Sequence, residues 1–351
     1  MKVFITGATG LVGAHTAMEL LRAGHTVRLL VRDRKKAEDY FKARGFILDD
    51  FVVADMRDVS AIKKGLEDCD ALVHAAAVVG MERRRADEIY NSNVEAIHAV
   101  MDTACNAGIK NIIHVSSIGA LFIDKKLHPE IKIVDESAPI GSSVEAYGRS
   151  KAYCERYVRE LQAKGAPIQI TYPTSIWGPD DPKLNESNKA LKIFVETVLP
   201  MTNSGFQFID VRDIAVAHRL MLERGCPADR TQGRYVLGGH YYDWPALGDL
   251  VDGVTGNRIL RLKLPDSVWM SIGALCDAIQ HVIPFDFALT RESVTMITQW
   301  TPASTAKAKR ELGLTLRSGE ETARDTLRWL AQAGHINAKR AGKAFTSPTH
   351  A

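Results

Sequence analysis

The chain has 351 residues, enough for one large or two ordinary domains, and its 46% hydrophobic and 25% charged residues exclude wholesale disorder. With 45 Lys and Arg against 42 Asp and Glu residues, the net charge of +3 does not indicate a nucleic-acid-binding surface. Five cysteines without a CxxC spacing predict neither a disulfide framework nor a zinc site, and favour the cytoplasm.

The first half of the chain alternates strand and helix patterns. Helical spacing occupies residues 12–22, 87–107 and 145–163. Short, almost continuously apolar strands are predicted at residues 2–6, 26–32, 51–54, 71–76, 110–116 and 168–172. Such strands, separated by helices, predict an α/β fold with a parallel sheet covered on both faces.

After residue 173 the pattern loosens and becomes mainly helical. No signal peptide is expected, since Met1 leads directly into a strand. The longest apolar stretch, residues 268–289, is interrupted by polar residues and Pro284, so no transmembrane segment is predicted. We predict a first domain over residues 1–173, rejoined by 206–238, a smaller substrate domain from 174–205 and 239–335, and a flexible tail over 339–351.

A glycine-rich run, TGATGLVG, lies between the first predicted strand and the first helix. Its glycines follow the spacing G-x-x-G-x-x-G, which allows a tight turn, close approach of a pyrophosphate, and close packing of helix and strand. The amides of the helix N-terminus would face that anion. The run therefore predicts a dinucleotide site with contacts from Gly7, Thr9, Gly10, Leu11, Val12 and Gly13.

The end of the second strand decides which dinucleotide binds. NAD-binding proteins place an acidic residue there for the ribose 2′-hydroxyl, whereas Val31 and Arg32 occupy the aligned positions here. A guanidinium suits the 2′-phosphate of NADP, and Lys35 and Lys36 add positive charge. NADP is therefore favoured. NAD stays open, because a shift of two residues would assign the ribose to Asp33.

Further cofactor contacts are predicted along the same sheet edge. Asp55 and Met56 follow the third strand and would meet the adenine. The small residues Ala75, Ala76 and Ala77 would let the cofactor lie on the fourth strand, where His74 is interpreted as a packed strand residue. Two further contacts are expected from Pro173 and Ser175, after the sixth strand.

A candidate catalytic group follows the fifth strand. Tyr147 and Lys151 are four residues apart and so share a helix face. An ammonium beside a phenol lowers a pKa that starts near ~10, so the tyrosine could transfer a proton near neutral pH. Ser116 and Ser117 end the fifth strand at the carboxyl edge, where open α/β sheets bind ligands.

Together these motifs resemble an extended short-chain dehydrogenase/reductase over roughly residues 1–335. The matching segments are TGATGLVG, HAAA at 74–77, VSS at 115–117, YGRSK at 147–151, YPTSIWGP at 172–179 and FIDVRDIAVAH at 208–218. The resemblance implies a Rossmann-type doubly wound sheet with a smaller, mainly helical C-terminal domain. It also implies a bound nicotinamide and a catalytic set of Ser117, Tyr147 and Lys151, with Asn93 fixing the active-site helix.

Two departures from the family pattern narrow the subclass. Phe206 and Tyr172 stand where family members that bind nucleotide sugars often carry arginines. Both changes remove an anion-binding group and offer an aromatic surface. The chain therefore looks most like the dihydroflavonol reductase and 3β-hydroxysteroid dehydrogenase branch, which acts on apolar substrates.

The function expected from the sequence is NADP(H)-dependent interconversion of a ketone or aldehyde and an alcohol on an apolar small molecule, by a cytoplasmic monomer or homodimer. Two alternatives stay open: a nucleotide-sugar epimerase or dehydratase with tightly bound NAD, and a non-catalytic NADP-sensing protein. Pocket walls are expected from residues 118–122, 123–144, 175–177 and 269–287.

Overall fold

The structure is a computed structural model, and it describes residues 1–79, 85–121, 128–141, 146–282 and 291–346. The strands are β1 (Lys2–Thr6), β2 (Thr26–Val31), β3 (Phe51–Val53), β4 (Ala71–His74), β5 (Asn111–Val115), β6 (Ile168–Pro173), β7 (Ser175–Trp177), β8 (Leu199–Met201), β9 (Gly205–Asp210), β10 (Arg234–Leu237), β11 (His240–Asp243) and β12 (Arg261–Lys263). The helices are α1 (Leu11–Arg22), α2 (Arg34–Lys42), α3 (Val59–Leu66), α4 (Ala86–Asn106), α5 (Ala146–Ala163), α6 (Glu186–Glu196), α7 (Val211–Arg224), α8 (Trp244–Thr255), α9 (Asp266–Val282), α10 (Arg291–Gln299), α11 (Ala306–Leu312), α12 (Gly319–Gln332), α13 (Ala338–Ala341) and α14 (Lys343–Thr346).

A seven-stranded sheet in the order β10-β6-β5-β4-β1-β2-β3 forms the centre of the molecule. Every pairing in it is parallel, so the predicted Rossmann-type α/β fold is confirmed. Parallel pairing brings the carboxyl ends of all seven strands to one edge. Thr6, His74 and His114 occupy the same register at the ends of β1, β4 and β5.

Alternate residues of the strands pack against helices on opposite faces of this sheet. Val3 and Ile5 of β1 lie in a core cluster with residues of α1 and α7, whereas Phe4 lies in a second cluster with residues of α4 and α5. Because both faces are covered, the strands need apolar residues at nearly every position, which explains their continuous apolar runs.

The C-terminal part of the chain adds two small sheets and a third core cluster. One small sheet has the order β11-β9-β7, and the other pairs β8 with β12. Trp177, Phe208 and Trp244 are fully buried in the third cluster, together with residues of α6 and α12. Residues 206–238 supply β10 to the central sheet and α7 to its face, while β9 pairs with β7 and β11. The division into two domains stays a prediction.

The structure describes most of the segment predicted to be a flexible tail, residues 339–351. Residues 339–346 form most of α13 and all of α14. They pack because Ala341 and Ala344 are small enough to be fully buried, and because Arg328 donates a 3.0 Å hydrogen bond to the Ala344 carbonyl. Residues 347–351 lie outside the described residues, as do residues 283–290. No helix in the part of the chain that the structure describes is long and apolar enough to cross a membrane.

Candidate active site

The glycine-rich turn between β1 and α1 is built so closely that side chains are excluded from it. Gly7 has a φ of +79°, and a Cβ there would lie 2.5 Å from the Ala76 nitrogen. A Cβ on Gly13 would lie 2.3 Å from the Gly7 carbonyl oxygen, because α1 begins directly against the turn. Backbone therefore approaches backbone at both positions, which only glycine permits.

The N-terminus of α1 is the part of this turn that can hold an anion. Gly10 is the N-cap residue and carries no side chain, so within the described residues the first amides of the helix have no side-chain acceptor. Leu11 and Gly13 are buried, whereas Thr9, Gly10 and Val12 remain partly exposed. This uncapped helix start beside a side-chain-free turn fits the pyrophosphate of a dinucleotide.

The segment after β4 lies against this turn. β4 ends at His74, earlier than the predicted strand, and the half-buried Ala75, Ala76 and Ala77 follow it past Gly7. Asn93 of α4 holds the next residue: it accepts from the Val78 amide at 2.8 Å and donates to the Val78 carbonyl at 3.0 Å. The same amide group donates to Ser150 Oγ on α5 at 3.1 Å, so Asn93 joins this segment to the helix of Tyr147 and Lys151.

At the end of β2 the two candidate ribose ligands have different surroundings. The carboxylate of Asp33 caps α2 by accepting from the Lys36 amide at 3.0 Å. Arg32 is exposed, and its guanidinium has no hydrogen bond or ion pair within the described residues. Nearby, Asp55 accepts from Arg57 Nε at 2.7 Å, and this bond together with the charge of Arg32 lowers the pKa of Asp55. Met56 packs on the apolar cluster below.

The three predicted catalytic residues come from adjacent elements at the same edge. Lys151 is buried, and its Nζ lies 5.8 Å from the centre of the Tyr147 ring and 3.4 Å from the Val115 carbonyl at the end of β5. Ser117 follows two residues later, and its Oγ accepts from the Gly119 amide at 3.1 Å. The 3₁₀ turn Ile118–Leu121 then packs against α5. Tyr147 and Ser117 are both partly exposed, as proton transfer to a substrate requires.

A buried carboxylate supports this group, and the sequence reasoning missed it. Glu155 lies one helical turn beyond Lys151 and is fully buried. It accepts from Tyr172 Oη at 2.6 Å, from Arg159 Nε at 2.6 Å and from Ser116 Oγ at 3.2 Å. The signal was present, because residues 147, 151, 155 and 159 follow the i, i+4 spacing of one helix face.

The position of Tyr172 corrects one prediction. Its side chain is fully buried against Glu155, and burial and the Glu155 charge raise its pKa well above the ordinary value for tyrosine. It therefore offers no aromatic surface to a substrate. Phe206 is half-buried and packs against Trp177, Phe194 and Trp244, so it too serves the C-terminal core. Both residues still lack the positive charge of an arginine.

Two buried histidines lie near Lys151 in the sheet. His74 and His114 stack with ring centroids 5.7 Å apart, and Thr6 Oγ1 lies 2.7 Å from His74 Nδ1. Burial, with the charge of Lys151 adding to it, lowers the pKa of His74 to about 3 and lowers that of His114 as well. Both imidazoles are therefore neutral at pH 7. His74 is packed in its strand, as expected.

The structure describes only some of the remaining residues that are predicted to contact the cofactor or to form the walls of the substrate pocket. Pro173 is buried at the end of β6, and Ser175 is half-buried in β7. Trp177 and Trp269 are both buried, and Trp177 packs in the C-terminal core cluster. Within the expected walls, residues 122–127, 142–144 and 283–287 lie outside the described residues.

Comparison with known proteins identifies the family. The model of the NAD dependent epimerase/dehydratase family matches residues 3–238. The chain belongs to this family. It is 26% identical over 336 residues, 95% of this chain and 95% of the relative, to a putative dihydroflavonol 4-reductase of Synechocystis sp.. It is 30% identical over 251 residues, 67% of this chain and 69% of the relative, to cinnamoyl-CoA reductase 1 of Arabidopsis thaliana.

A solved structure within the epimerase/dehydratase family shares the fold. UDP-glucose 4-epimerase from Bifidobacterium longum, solved in complex with NAD+ and UDP, superposes with a TM-score of 0.69 at 19% identity, over 97% of this chain and 100% of that chain. The family match and the reductase relatives identify the protein as an NAD(P)-dependent oxidoreductase of the extended short-chain dehydrogenase/reductase type.

Proposed function

We propose that the protein reduces a carbonyl group of an apolar ketone or aldehyde with NADPH, and oxidises the matching alcohol in reverse. The observation that carries the proposal is the convergence of Ser117, Tyr147 and Lys151 at the sheet edge, next to a side-chain-free turn that fits a dinucleotide. The Synechocystis and Arabidopsis relatives are both named reductases, which supports the same direction.

In this proposal the cofactor lies along the carboxyl edge of the sheet. Its pyrophosphate is held by Gly7, Thr9, Gly10, Leu11, Val12 and Gly13, and its remaining contacts come from Arg32, Asp55, Met56, Ala75, Ala76, Ala77, Tyr147, Lys151, Pro173 and Ser175. When bound, NADPH supplies the hydride. The uncapped start of α1 and the excluded Cβ positions support the pyrophosphate assignment.

The protein's own groups manage the oxygen of the substrate. Ser117 and Tyr147 donate hydrogen bonds to the carbonyl oxygen and orient it. As charge develops on that oxygen, Tyr147 gives it the phenolic proton. The Lys151 ammonium stabilises the resulting phenolate, and burial of Lys151 strengthens this effect because little water screens its charge.

The preference for NADP rests on the end of β2. Oδ1 of Asp33 accepts from the Lys36 amide as the cap of α2, which ties this carboxylate to the start of the helix. Arg32, by contrast, has an exposed guanidinium that a 2′-phosphate could pair with.

We prefer an apolar substrate because the cations that could hold the diphosphate of a nucleotide sugar have other partners or lie on the side assigned to the adenosine. Arg212 is bound by Asp210 at 2.7 Å and by Asp325 at 2.8 Å. Arg149 lies over the Tyr90 ring at 5.1 Å, and the charge of Lys183 is close to Arg32, on the side assigned to the adenosine. Burying two phosphates without cationic partners is unfavourable, which argues against a nucleotide sugar.

A panel of steroids, flavonoid-like ketones, aldehydes and nucleotide sugars tests the proposal by NADPH absorbance and by thermal shift. We expect an aryl or alicyclic ketone to be reduced, or to raise the melting temperature beyond NADPH alone. Micromolar binding of a UDP- or dTDP-sugar with tight retention of NAD would overturn the proposal in favour of an epimerase or dehydratase. The cytoplasmic location and the monomeric or homodimeric state stay predictions.

A further inference from the structure

The loop after β7, residues 178–185, is fastened to α2 although about 140 residues separate them in the chain. The Asp180 carbonyl accepts from Tyr40 Oη at 2.6 Å, and the Asp180 carboxylate pairs with Arg44 at 2.9 Å. The Arg44 guanidinium also lies 3.7 Å from the centre of the Tyr40 ring. The loop therefore has a fixed position beside the helix that follows Arg32.

The loop is also held rigid from within. Asp181 is buried and accepts from the backbone amides of Lys183 at 3.1 Å and Asn185 at 2.6 Å. Asp180 and Leu184 adopt left-handed φ values of +59° and +52°. Non-glycine residues keep such angles where surrounding bonds impose them, so the backbone path of the loop past Lys183 is set by the fold.

Lys183 follows Asp180 by three residues in this loop. Lys36 lies one helical turn before Tyr40, so the loop held by Tyr40 and Arg44 runs along the face of α2 that carries Lys36. Lys183 is exposed, and partial loss of hydration and the charges of Arg32 and Lys36 lower its pKa, an effect that the charge of Asp181 opposes. The side chains of Lys183, Arg32 and Lys36 have no hydrogen bond or ion pair to another part of the described chain. Asp181 offsets only part of the repulsion among these three cations, and a bound anion would relieve it.

We propose that Lys183 is a selectivity residue for the adenosine 2′-phosphate, contributed from the opposite side of the cleft to Arg32. The inference rests on the proposed use of NADP and extends it, since the 2′-phosphate would then join α2 to the loop that leads into α6. NADPH, unlike NADH, would hold the two sides together. Recognition of the cofactor would thus involve the part of the chain predicted to bind substrate.

Binding of NADPH and NADH to the purified protein, followed by cofactor fluorescence, tests this inference in the variants Lys183→Met, Arg32→Ala and Lys42→Met. Lys42 is the matched control, because it is an exposed lysine at the opposite end of α2 from Arg32. We expect Lys183→Met to weaken NADPH about tenfold, the lower end for a hydrogen bond to a charged group, and to leave NADH unchanged. Lys183→Arg should keep most of the affinity, and Lys42→Met should change it less than twofold.

Each outcome separates the inference from the proposed function. If Arg32→Ala weakens NADPH tenfold or more while Lys183→Met changes nothing, NADP use stands and the role of Lys183 is wrong. If the wild-type protein binds NADH as tightly as NADPH, the proposed cofactor itself is wrong. If Lys183→Met weakens both cofactors equally, the residue supports the loop and does not read the phosphate. A dependence of the NADPH affinity on salt that is smaller in Lys183→Met than in Lys42→Met would support the ion pair even if Lys183→Met loses stability.

Discussion

Replacing Glu155 by glutamine removes one negative charge from the interior with almost no change of shape. The carboxylate is fully buried and accepts hydrogen bonds from Tyr172, Arg159 and Ser116. The side chain of Arg159 is only 21% exposed, so the variant leaves a mostly buried guanidinium without its ion pair. Breaking a buried pair in this way destabilises a protein by about 3–5 kcal/mol. We expect about 3 kcal/mol, because the remaining exposure of Arg159 reduces the penalty.

Urea unfolding of Glu155→Gln, followed by circular dichroism, measures this loss. The matched control is Glu160→Gln, an exposed glutamate of the same helix, for which we expect a change within about 0.5 kcal/mol. Tyr172→Phe should destabilise by about 1.5–3 kcal/mol, and the double variant by less than the sum, because both residues share one hydrogen bond. Equal stabilities of Glu155→Gln and Glu160→Gln would refute the reasoning.

Three further changes probe the cofactor site, the reaction and the buried histidines. Tyr147→Phe should lower kcat by about 10²–10⁴ with little change in cofactor affinity, and near-normal turnover would remove Tyr147 from the mechanism. Arg32→Ala should weaken NADPH by about 1.5–3 kcal/mol and leave NADH unchanged, whereas equal losses for both cofactors would exclude a 2′-phosphate contact. In the folded protein the pKa of His74 is lowered to about 3, so the neutral, buried His74 is compatible with folding at every pH above that value. In the unfolded chain His74 takes up a proton below its ordinary pKa of 6.5, so the free energy of unfolding decreases as the pH falls from 6.5 toward 3. His74→Asn should therefore reduce, by about 1.4 kcal/mol per pH unit, the slope with which the free energy of unfolding rises from pH 4 to pH 6. The control variant is His128→Asn, at an exposed site. A slope that stays unchanged in His74→Asn would contradict the low pKa of His74.

The sequence was sufficient where function depends on local spacing. The spacing of Gly7, Gly10 and Gly13 could be interpreted from the sequence alone, because it depends only on a strand before the run and a helix after it, and the structure has both. The pairing of Tyr147 with Lys151 depends only on their lying in one helix, which the structure also has. The role of Asp33 as a helix cap was also readable, since an aspartate directly before a helical segment is a common start signal.

The sequence was insufficient where a side chain acts through tertiary contacts. The burial of Tyr172 depends on how β6 pairs with β5 and on where α5 crosses them, and neither is encoded near residue 172. Phe206 resembled a substrate-facing aromatic residue until the pairing of β9 with β7 and β11 assigned it to the core. The position of the Lys183 loop beside α2 depends on its left-handed turns and on the bonds of Asp180 to Tyr40 and Arg44, which the sequence near residue 183 does not reveal.

We propose that Tyr147 completes an NADPH-dependent reduction of an apolar carbonyl compound. The most direct measurement is the oxidation of NADPH at 340 nm by the wild-type protein and by Tyr147→Phe, with the same panel of aryl and alicyclic ketones and of UDP- and dTDP-sugars. We expect the wild type to consume at least one ketone, the variant to be slower by a factor of about 10²–10⁴, and no nucleotide sugar to be transformed. Turnover of a nucleotide sugar without net oxidation of NADPH, together with inactivity toward every ketone, would contradict it.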